Sequence, residues 1–414
     1  MHEENFRPRL SRIMPDMQTT NPMPWRLVIA GCIGMFAATA TGSTRAPFLP
    51  DMAAELNVSL PAIANLFGLT ATVWGISSYI VGSASDRFGR RIFLIVSPVC
   101  LALTMLAASQ ASSYSILAFI IVLAAICCGS YTATALAEVS LRTHSSHQGR
   151  ALGYVMSGQS LTLLIGIPVA AMLGSRIGWR GTHVALAGLA LVAAVSMVLT
   201  LYTSVKAKTS SVHHQAHSRN NLRLALTGPI VRLFMALAAE RVCFGLSTFY
   251  YASYLRTAYE LPVSAVAMPL ALFAGGNIVG TVLGGQVADR FAYRRISFAV
   301  ALICAGVIAI PWFLLQSSLT ITISLGVAFA FFNALSKPPL MAAMADVPAD
   351  VRGVIMGLNS SIASIGWMTA ALMGGWLYSG IGFVGFGPVM AVMCFVAALI
   401  VIPDSRIRTR QNVG

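Results

Sequence analysis

The ten residues from Gly82 to Arg91 read GSASDRFGRR and carry four charges, Asp86, Arg87, Arg90 and Arg91. Only 10% of the 414-residue chain is charged and 57% of it is apolar. A soluble domain carries about 25% charged residues, so this chain has too little polar surface to cover a water-soluble globule. It reads as an integral membrane protein in contact with a lipid bilayer. Ten residues are too few to cross a membrane, so the cluster reads as a tight turn between two spans. Its glycines permit the turn, and its arginines keep the turn on one side.

Working outward, no Asp, Glu, Lys or Arg occurs in residues 92–137, 296–336 or 353–403. Each run is long enough for two spans of about 20 residues. Each also contains a small, polar or Gly-rich reversal: SQASSYS at Ser109–Ser115, LQSSLT at Leu315–Thr320, and SGIGFVGFGP at Ser379–Pro388. The pattern gives an all-α integral membrane fold of twelve spans. They lie at residues 25–49, 61–82, 92–110, 114–138, 151–175, 183–205, 229–254, 264–286, 296–315, 319–343, 353–378 and 384–402.

The formal net charge of +14 raises the question of nucleic-acid binding, and the placement of the charge answers it. With both termini inside, 21 of the 27 Lys and Arg fall on cytoplasmic segments. Arg176, Arg180 and Arg256 lie in outer loops, and Arg45, Arg241 and Lys337 lie within spans. Such asymmetry is the positive-inside bias of a multi-pass membrane protein, and no nucleic-acid partner is expected. The seven cysteines all fall in spans and show no metal spacing, so they read as small packing residues. No removable signal peptide is indicated ahead of the first span.

The chain repeats itself. ELNVS at Glu55–Ser59 recurs as ELPVS at Glu260–Ser264, and GSASDRF at Gly82–Phe88 recurs as GQVADRF at Gly285–Phe291, at offsets of 205 and 203 residues. Two six-span bundles are therefore expected, residues 25–205 and 229–402. They are flanked by a cytoplasmic arm (1–24), a basic central loop (206–228) and a tail (403–414). His213, His214 and His217 in the central loop read as a solvated cluster in preference to a metal site.

Gly82, Asp86, Arg87, Gly89, Arg90 and Arg91 together resemble the signature of the major facilitator superfamily, a Gly, three residues, then Asp-Arg-x-Gly-Arg-Arg or Lys between helices two and three. The second copy, Gly285, Asp289, Arg290 and Arg294, is degenerate in the way usual for that family. The resemblance covers residues 25–402 and implies alternating access between two bundles, with a monomer as the default state. It implies that Asp86 faces the start of span eleven near Gly353, where the helix dipole favours a carboxylate. It also implies that Arg90 or Arg91 pairs with Glu138 at the inner end of span four, with Asp346 as the counterpart at the end of span ten. These residues, with Asp289 and Arg290, form the expected cytoplasmic gate. Gly166, Pro168 and Gly174 in LIGIPVAAMLGSRIGWR are similar to the Gly-Pro segment of the proton-linked drug and sugar exporters, and FLPDMAAELNVS at Phe48–Ser59 points to the same branch. One departure stands out: proton-linked members carry an Arg in span four, four residues before a Gly, where this chain has Ala125 before Gly129.

Ionisable residues inside a bilayer cost about 2.5–3.5 kcal/mol each, so they are functional candidates by default. Glu240 and Arg241 lie eleven and twelve residues past Pro229, roughly 16–18 Å at 1.5 Å per residue and so near the midplane. Lys337 precedes Pro338 and Pro339, which are expected to bend its helix, and shares a face with Asn333. Arg241, Phe244, Thr248 and Tyr251 fall on one helical stripe. Arg45 lies near the outer end of its span, where snorkelling would also explain it. Arg45, Glu240, Arg241, Phe244, Tyr251, Asn333 and Lys337 are thus the candidate substrate residues, and the resemblance implies that spans one, four, seven and ten line the cavity. Three cations against one carboxylate give a formal charge near +2, which favours an anionic substrate. Glu240 is the candidate proton carrier. Adjacent positions point 100° apart, so its expected partner is Lys337 or the substrate and not Arg241.

The expected function is secondary transport of a small organic molecule across the inner membrane, as proton-linked export. Organic-anion import and a non-transporting membrane sensor are the alternatives. The spans carry no paired acid-base or metal-ligand set, so neither an enzyme nor a cofactor is expected. Glycines spaced at regular intervals, Gly276, Gly280 and Gly284 among them, predict close helix packing.

Overall fold

The computed structural model describes residues 23–143, 147–203, 227–291, 293–315, 318–345 and 349–402, apart from the side chains of 83, 86, 149, 203, 345, 349–354, 356, 357 and 360. Among the described residues the regular structure is entirely helical. The first half contains α1 (Trp25–Ser43), the short α2 (Leu49–Glu55), α3 (Leu60–Phe88), α4 (Arg90–Ser109), α5 (Tyr114–Arg142), α6 (Gln148–Leu161) and α7 (Ile167–Thr203). The second half contains α8 (Gly228–Ala258), α9 (Ala267–Arg290), α10 (Arg294–Leu314), α11 (Leu319–Ala345), α12 (Ala349–Ile381) and α13 (Phe386–Val401). The arm, the tail, most of the central loop with His213, His214 and His217, and Asp346 lie outside the described residues.

Each of the twelve expected spans has a helix. Nine stretches among the described residues are long and apolar enough to cross a membrane. Two of these, Arg150–Tyr202 and Ser361–Val401, run to 53 and 41 residues and are broken internally. The first breaks at Gly178, whose φ of +69° reverses the chain inside α7. The second breaks at the 3-10 turn Gly382–Gly385. Helix α8, which carries Arg232, Glu240, Arg241 and Arg256, completes the set.

Local chemistry accounts for the helix ends. Ser59 and Ser113 accept backbone N–H groups from Ala62 and Ile116, each at 3.4 Å, and so cap α3 and α5. The turn in GSASDRFGRR is a single residue. Helix α3 runs on to Phe88, Gly89 takes φ +94°, and α4 begins at Arg90. The expected span 61–82 therefore stops six residues short, because Ser85, Asp86 and Arg87 remain helical. The expected span 25–49 is too long for the opposite reason, since α1 ends at Ser43 and a separate 3-10 turn (Ala46–Phe48) leads into α2. Between α6 and α7 the backbone widens into a π turn, Thr162–Gly166, just ahead of Pro168, which lacks the N–H that a regular α-turn would need. Helix α11 passes through Pro338 and Pro339 without interruption.

Glycine rows set the closest approaches. A Cβ on Gly276 or Gly284 would lie 2.7 or 2.6 Å from the carbonyl oxygens of Val327 and Leu335 on α11, and one on Gly280 would overlap that of Phe331. These three carbonyls are four residues apart, so α9 and α11 lie backbone against backbone, as small residues at regular spacing permit.

The two halves meet at one end of the molecule. There α3 packs along α12, with Gly68 against Met368 and Ala371, Gly75 against Ser364, and Gly375 against Pro61 and Asn65. Phe67 of α3 stacks on Phe249 of α8 at 4.2 Å between centroids and 4° between planes. Arg256 of α8 reaches across to Asp51 of α2 through two hydrogen bonds of 2.6 and 2.8 Å, and to the carbonyl of Pro47 at 2.8 Å.

Candidate functional site in the second half

Helix α8 starts with Pro229 at its N-terminus, where the missing N–H costs nothing, and continues unbroken past Glu240. Its contact face is set by small residues. A Cβ at Gly366 of α12 would lie 2.5 Å from Cβ of Arg241 and 3.1 Å from the carbonyl of Ala238, and one at Gly245 would lie 2.5 Å from Cβ of Ala370. These glycines draw α12 against α8 and leave the neighbouring side chains to face α11.

Glu240 is completely buried. Lys337 of α11 places Nζ 3.7 Å from Glu240 Oε1, and Arg241 places Nε 3.5 Å from Oε2. The expectation that Glu240 and Arg241 could not meet is therefore corrected. Their Cβ atoms diverge, but the long arginine side chain folds back to the carboxylate. Neither oxygen has a protein hydrogen-bond partner, and neither does Arg241 Nε. Charge-assisted hydrogen bonds run about 2.7–2.9 Å, so this carboxylate is balanced by charge but not held by directed bonds. Lys337 also sits 3.6 Å above the ring of Phe244, a cation–π contact within the favourable range.

Phe244 continues the site along α8. It stacks on Phe273 of α9 at 6.4 Å and meets Trp367 of α12 edge-on at 5.6 Å. Phe273 in turn touches Tyr251 at 5.6 Å. Tyr251, Thr248, Phe273, Leu163 and Ile167 line a cavity between the halves. The hydroxyls of Tyr251 and Thr248 are buried there without a protein partner. Asn333, one turn before Lys337 on α11, is buried with both amide atoms unpartnered. Unsatisfied buried polar groups cost on the order of 1–3 kcal/mol each, and sites that bind polar ligands are where such groups are tolerated.

The structure thus brings Glu240, Arg241, Phe244 and Lys337 into direct contact and joins Tyr251 to them through Phe273. Asn333 lies on the same helix as Lys337. Arg45 is separate, which corrects its grouping with them. It is buried in the first half, where Nη2 donates to the Thr70 hydroxyl (2.9 Å) and both Nε and Nη2 reach the Gly42 carbonyl. Its guanidinium lies 5.2 Å from the Phe67 ring. Arg45 therefore does not snorkel, and the formal charge around Glu240 is +1 and not +2.

At the other end of the molecule, Glu138 pairs with Arg142 one turn along α5 and with Arg90 at 3.9 Å. Arg294, 204 residues after Arg90, donates to the carbonyl of Ala342, 204 residues after Glu138, at 3.4 Å. One described partner of Arg294 is thus a backbone oxygen, whereas Arg90 faces a carboxylate. Arg87 packs on Phe88 at 5.6 Å. Gly82 has open space around its Cα, and Gly89, Arg91, Asp289 and Arg290 are exposed. The side chain of Asp86, like Asp346, lies outside the described residues.

Sequence reasoning missed Phe273, Trp367, the Phe67–Phe249 stack and the Asp51–Arg256 pair. The aromatics carry no signal that separates them from ordinary core. The ion pair does carry one, since Asp51 and Arg256 are 205 residues apart, the offset of the ELNVS repeat. Opposite charges thus stand at equivalent places in the two halves.

A family model described as Major Facilitator Superfamily matches residues 31–368. Inner membrane transport protein YdhP of Escherichia coli K12 is 25% identical over 382 residues, which are 92% of this chain and 96% of that protein. A chloramphenicol efflux pump of Mycobacterium tuberculosis H37Rv is 25% identical over 370 residues, 87% of this chain and 88% of the pump. Among solved structures, a D-xylose–proton symporter superposes with a TM-score of 0.77 at 14% identity, covering 92% of this chain and 98% of that one.

Proposed function

From the premise that this chain belongs to the major facilitator superfamily, we propose that it is a proton-linked exporter of small organic solutes, with Glu240 as the proton carrier. In this reading residues 25–205 and 229–402 act as two six-helix bundles that rock about the site. Both termini face the cytoplasm of a bacterial inner membrane, as the distribution of Lys and Arg favours. The Asp51 end then faces outward and is closed.

The observation that carries the reading is the Glu240 carboxylate, fully buried between Lys337 and Arg241 with no hydrogen bond to the protein. A buried carboxylate balanced by two cations changes its energy strongly when protonated or when a ligand takes one of the cations. Competition between a proton and a donor group of the substrate for this one carboxylate is the coupling an exporter needs. It also supplies a route for coupling without an arginine at the position of Ala125. The relatives named as efflux pumps support the outward direction. Phe244, Phe273 and Tyr251 offer aromatic surface, and Lys337, Arg241 and Asn333 offer polar contacts.

A second reading, import of organic anions, draws on the excess of Lys337 and Arg241 over Glu240. Inverted membrane vesicles loaded with a pH-sensitive dye separate the two. Chloramphenicol and matched panels of organic anions and lipophilic cations are added to vesicles holding a proton gradient. Release of protons on addition of a neutral or cationic solute supports export. A response confined to anions and abolished by Arg241→Ala supports the second reading. Solute movement that is unaffected when the gradient is collapsed overturns proton coupling.

A further inference from the structure

Helices α1 and α6 run side by side in a constant register. Cys32 Sγ lies 3.6 Å from Ser157 Oγ, 125 residues on, and Met35 Sδ lies 3.8 Å from Gln159 Nε2, 124 residues on. A Cβ at Gly31 would sit 3.1 Å from the Val155 side chain, again at the shorter of these offsets. Carried back to the starts of the two helices, that offset sets Arg26 level with Arg150. Trp25 and Tyr154 flank this level and bring their rings to 5.4 Å across the seam. Helical side chains lean toward the N-terminus of their helix, so the Tyr154 ring covers the turn that Arg150 begins.

Arg26 and Arg150 are both exposed, and neither has a carboxylate partner among the described residues. Glu138 serves Arg90 and Arg142 instead. Two guanidinium groups at one level on adjoining helices repel each other, and an anion between them is attracted by both. Arginine presents a planar fork of donors that matches a phosphate. The surroundings point to a lipid phosphate in preference to a dissolved one. Ile29, one turn beyond Trp25 on the same face of α1, is exposed, as are Leu199 and Tyr202 near the end of α7. That end lies alongside, with the Thr200 hydroxyl 3.4 Å from the Arg26 carbonyl. Exposed apolar side chains on a membrane span face acyl chains, and Trp and Tyr mark the level of the headgroups.

We infer that the seam between α1, α6 and the end of α7 binds one anionic phospholipid. Its phosphate lies between Arg26 and Arg150, its headgroup against Trp25 and Tyr154, and an acyl chain along Ile29. A zwitterionic lipid brings its own cation to the two arginines and fits less well. The bound lipid holds α1 to α6 at the level where like charges oppose their contact. The site is distinct from that of Glu240, and the inference does not rest on the proposed transport reaction.

The test is native mass spectrometry of the delipidated full-length protein in detergent, with phosphatidylglycerol or phosphatidylcholine of the same acyl chains added in turn. Wild-type protein is expected to retain one phosphatidylglycerol per chain in preference to phosphatidylcholine. Its unfolding temperature should rise with phosphatidylglycerol and level off, as specific binding to the folded state requires. Arg26→Gln and Arg150→Gln should each lower the affinity for phosphatidylglycerol about fivefold, and together about twentyfold, and the double variant should lose the temperature response. Arg87→Gln with Arg290→Gln removes the same charge from exposed positions outside the seam and should retain both. Tyr154→Ala keeps both seam arginines and should weaken binding severalfold through loss of the ring. Equal affinity of wild type for the two lipids would overturn the inference. A loss in Arg87→Gln with Arg290→Gln as large as in the seam pair would reduce the effect to net charge and overturn it equally. Displacement of the lipid by an equal concentration of glycerol 3-phosphate would assign the seam to a dissolved phosphate and overturn it as well.

Discussion

The two ends of the molecule use the same kinds of charge to opposite effect. At one end Arg256 leaves its own half and forms a two-pronged pair with Asp51 of the other. Beside it Phe67 stacks on Phe249, and α3 lies along α12. At the other end Glu138 gathers Arg90 and Arg142, all three from the first half. Arg294 likewise donates to carbonyls of α9 and α11 in the second. In the proposed two-bundle reading both halves share one architecture, so architecture alone does not choose which end closes. Where a charge faces its opposite across the repeat, the halves are tied together. Where the described partners of a charge lie within its own half, as for Glu138, no such tie is seen among the described residues. The site built on Glu240, Lys337 and Phe244 lies on the helices that span between these ends.

Several changes would break or sharpen this contrast, and the largest effect belongs to the site between the ends. Glu240→Ala would leave Lys337 and Arg241 buried with no counter-charge, and its loss of unfolding free energy should reach about 3–5 kcal/mol. Thermal unfolding in detergent measures it, and adding Lys337→Met should recover part of the loss. A side chain at the tied end comes next. Gly68→Leu would drive into Ala371 and the Met368 carbonyl, 3.1 and 3.3 Å from the new Cβ, at about 1–3 kcal/mol. The matching change at the other end, Gly82→Ala, meets nothing within 4 Å and should leave stability unchanged within about 0.5 kcal/mol.

Smaller still is the cross-half ion pair. Asp51 is substantially exposed, and solvent screening holds such pairs to about 1 kcal/mol or less. Arg256→Ala should therefore raise the reactivity of a cysteine placed at Thr248, probed from the Asp51 side in a background without the seven native cysteines, by about fivefold. The charge exchange Asp51→Arg with Arg256→Asp should return it toward the original value. Smallest is Glu138→Gln, whose partners belong to its own half. Reactivity at position 248 should move by less than about twofold. An effect as large as that of Arg256→Ala would show that the Glu138 cluster also bridges the halves and would remove the contrast.

Much of this was legible in the sequence because membrane helices obey a severe rule, that backbone polar groups must be paired internally. Uncharged runs and their small or Gly-rich reversals therefore located the helices of residues 92–137, 296–336 and 353–403. The departures are local. Gly89 alone supplies the turn that ten residues were expected to form, because a positive φ reverses the chain in one step. Of the candidate site, the expected partner of Glu240 was Lys337 or the substrate, and Lys337 lies 3.7 Å from its carboxylate. Arg241 joins them because a long, flexible side chain can fold back against its helical direction. Arg45 was misplaced because depth along a span does not say which neighbour a side chain faces. Phe273 and Trp367 were invisible because aromatic residues are ordinary in a membrane core. Asp51 and Arg256 stood at the repeat offset, and only the folded chain shows that equivalent positions touch.

The measurement that tests the account most directly is solute exchange against pH in vesicles carrying wild type or Glu240→Gln. Glutamine keeps the shape of the side chain and removes the proton site. The account predicts that wild-type accumulation follows the imposed proton gradient, whereas Glu240→Gln still exchanges solute for solute at a rate that no longer changes with pH. Gradient-driven accumulation and pH dependence that persist unchanged in Glu240→Gln would contradict it and remove Glu240 from the coupling mechanism.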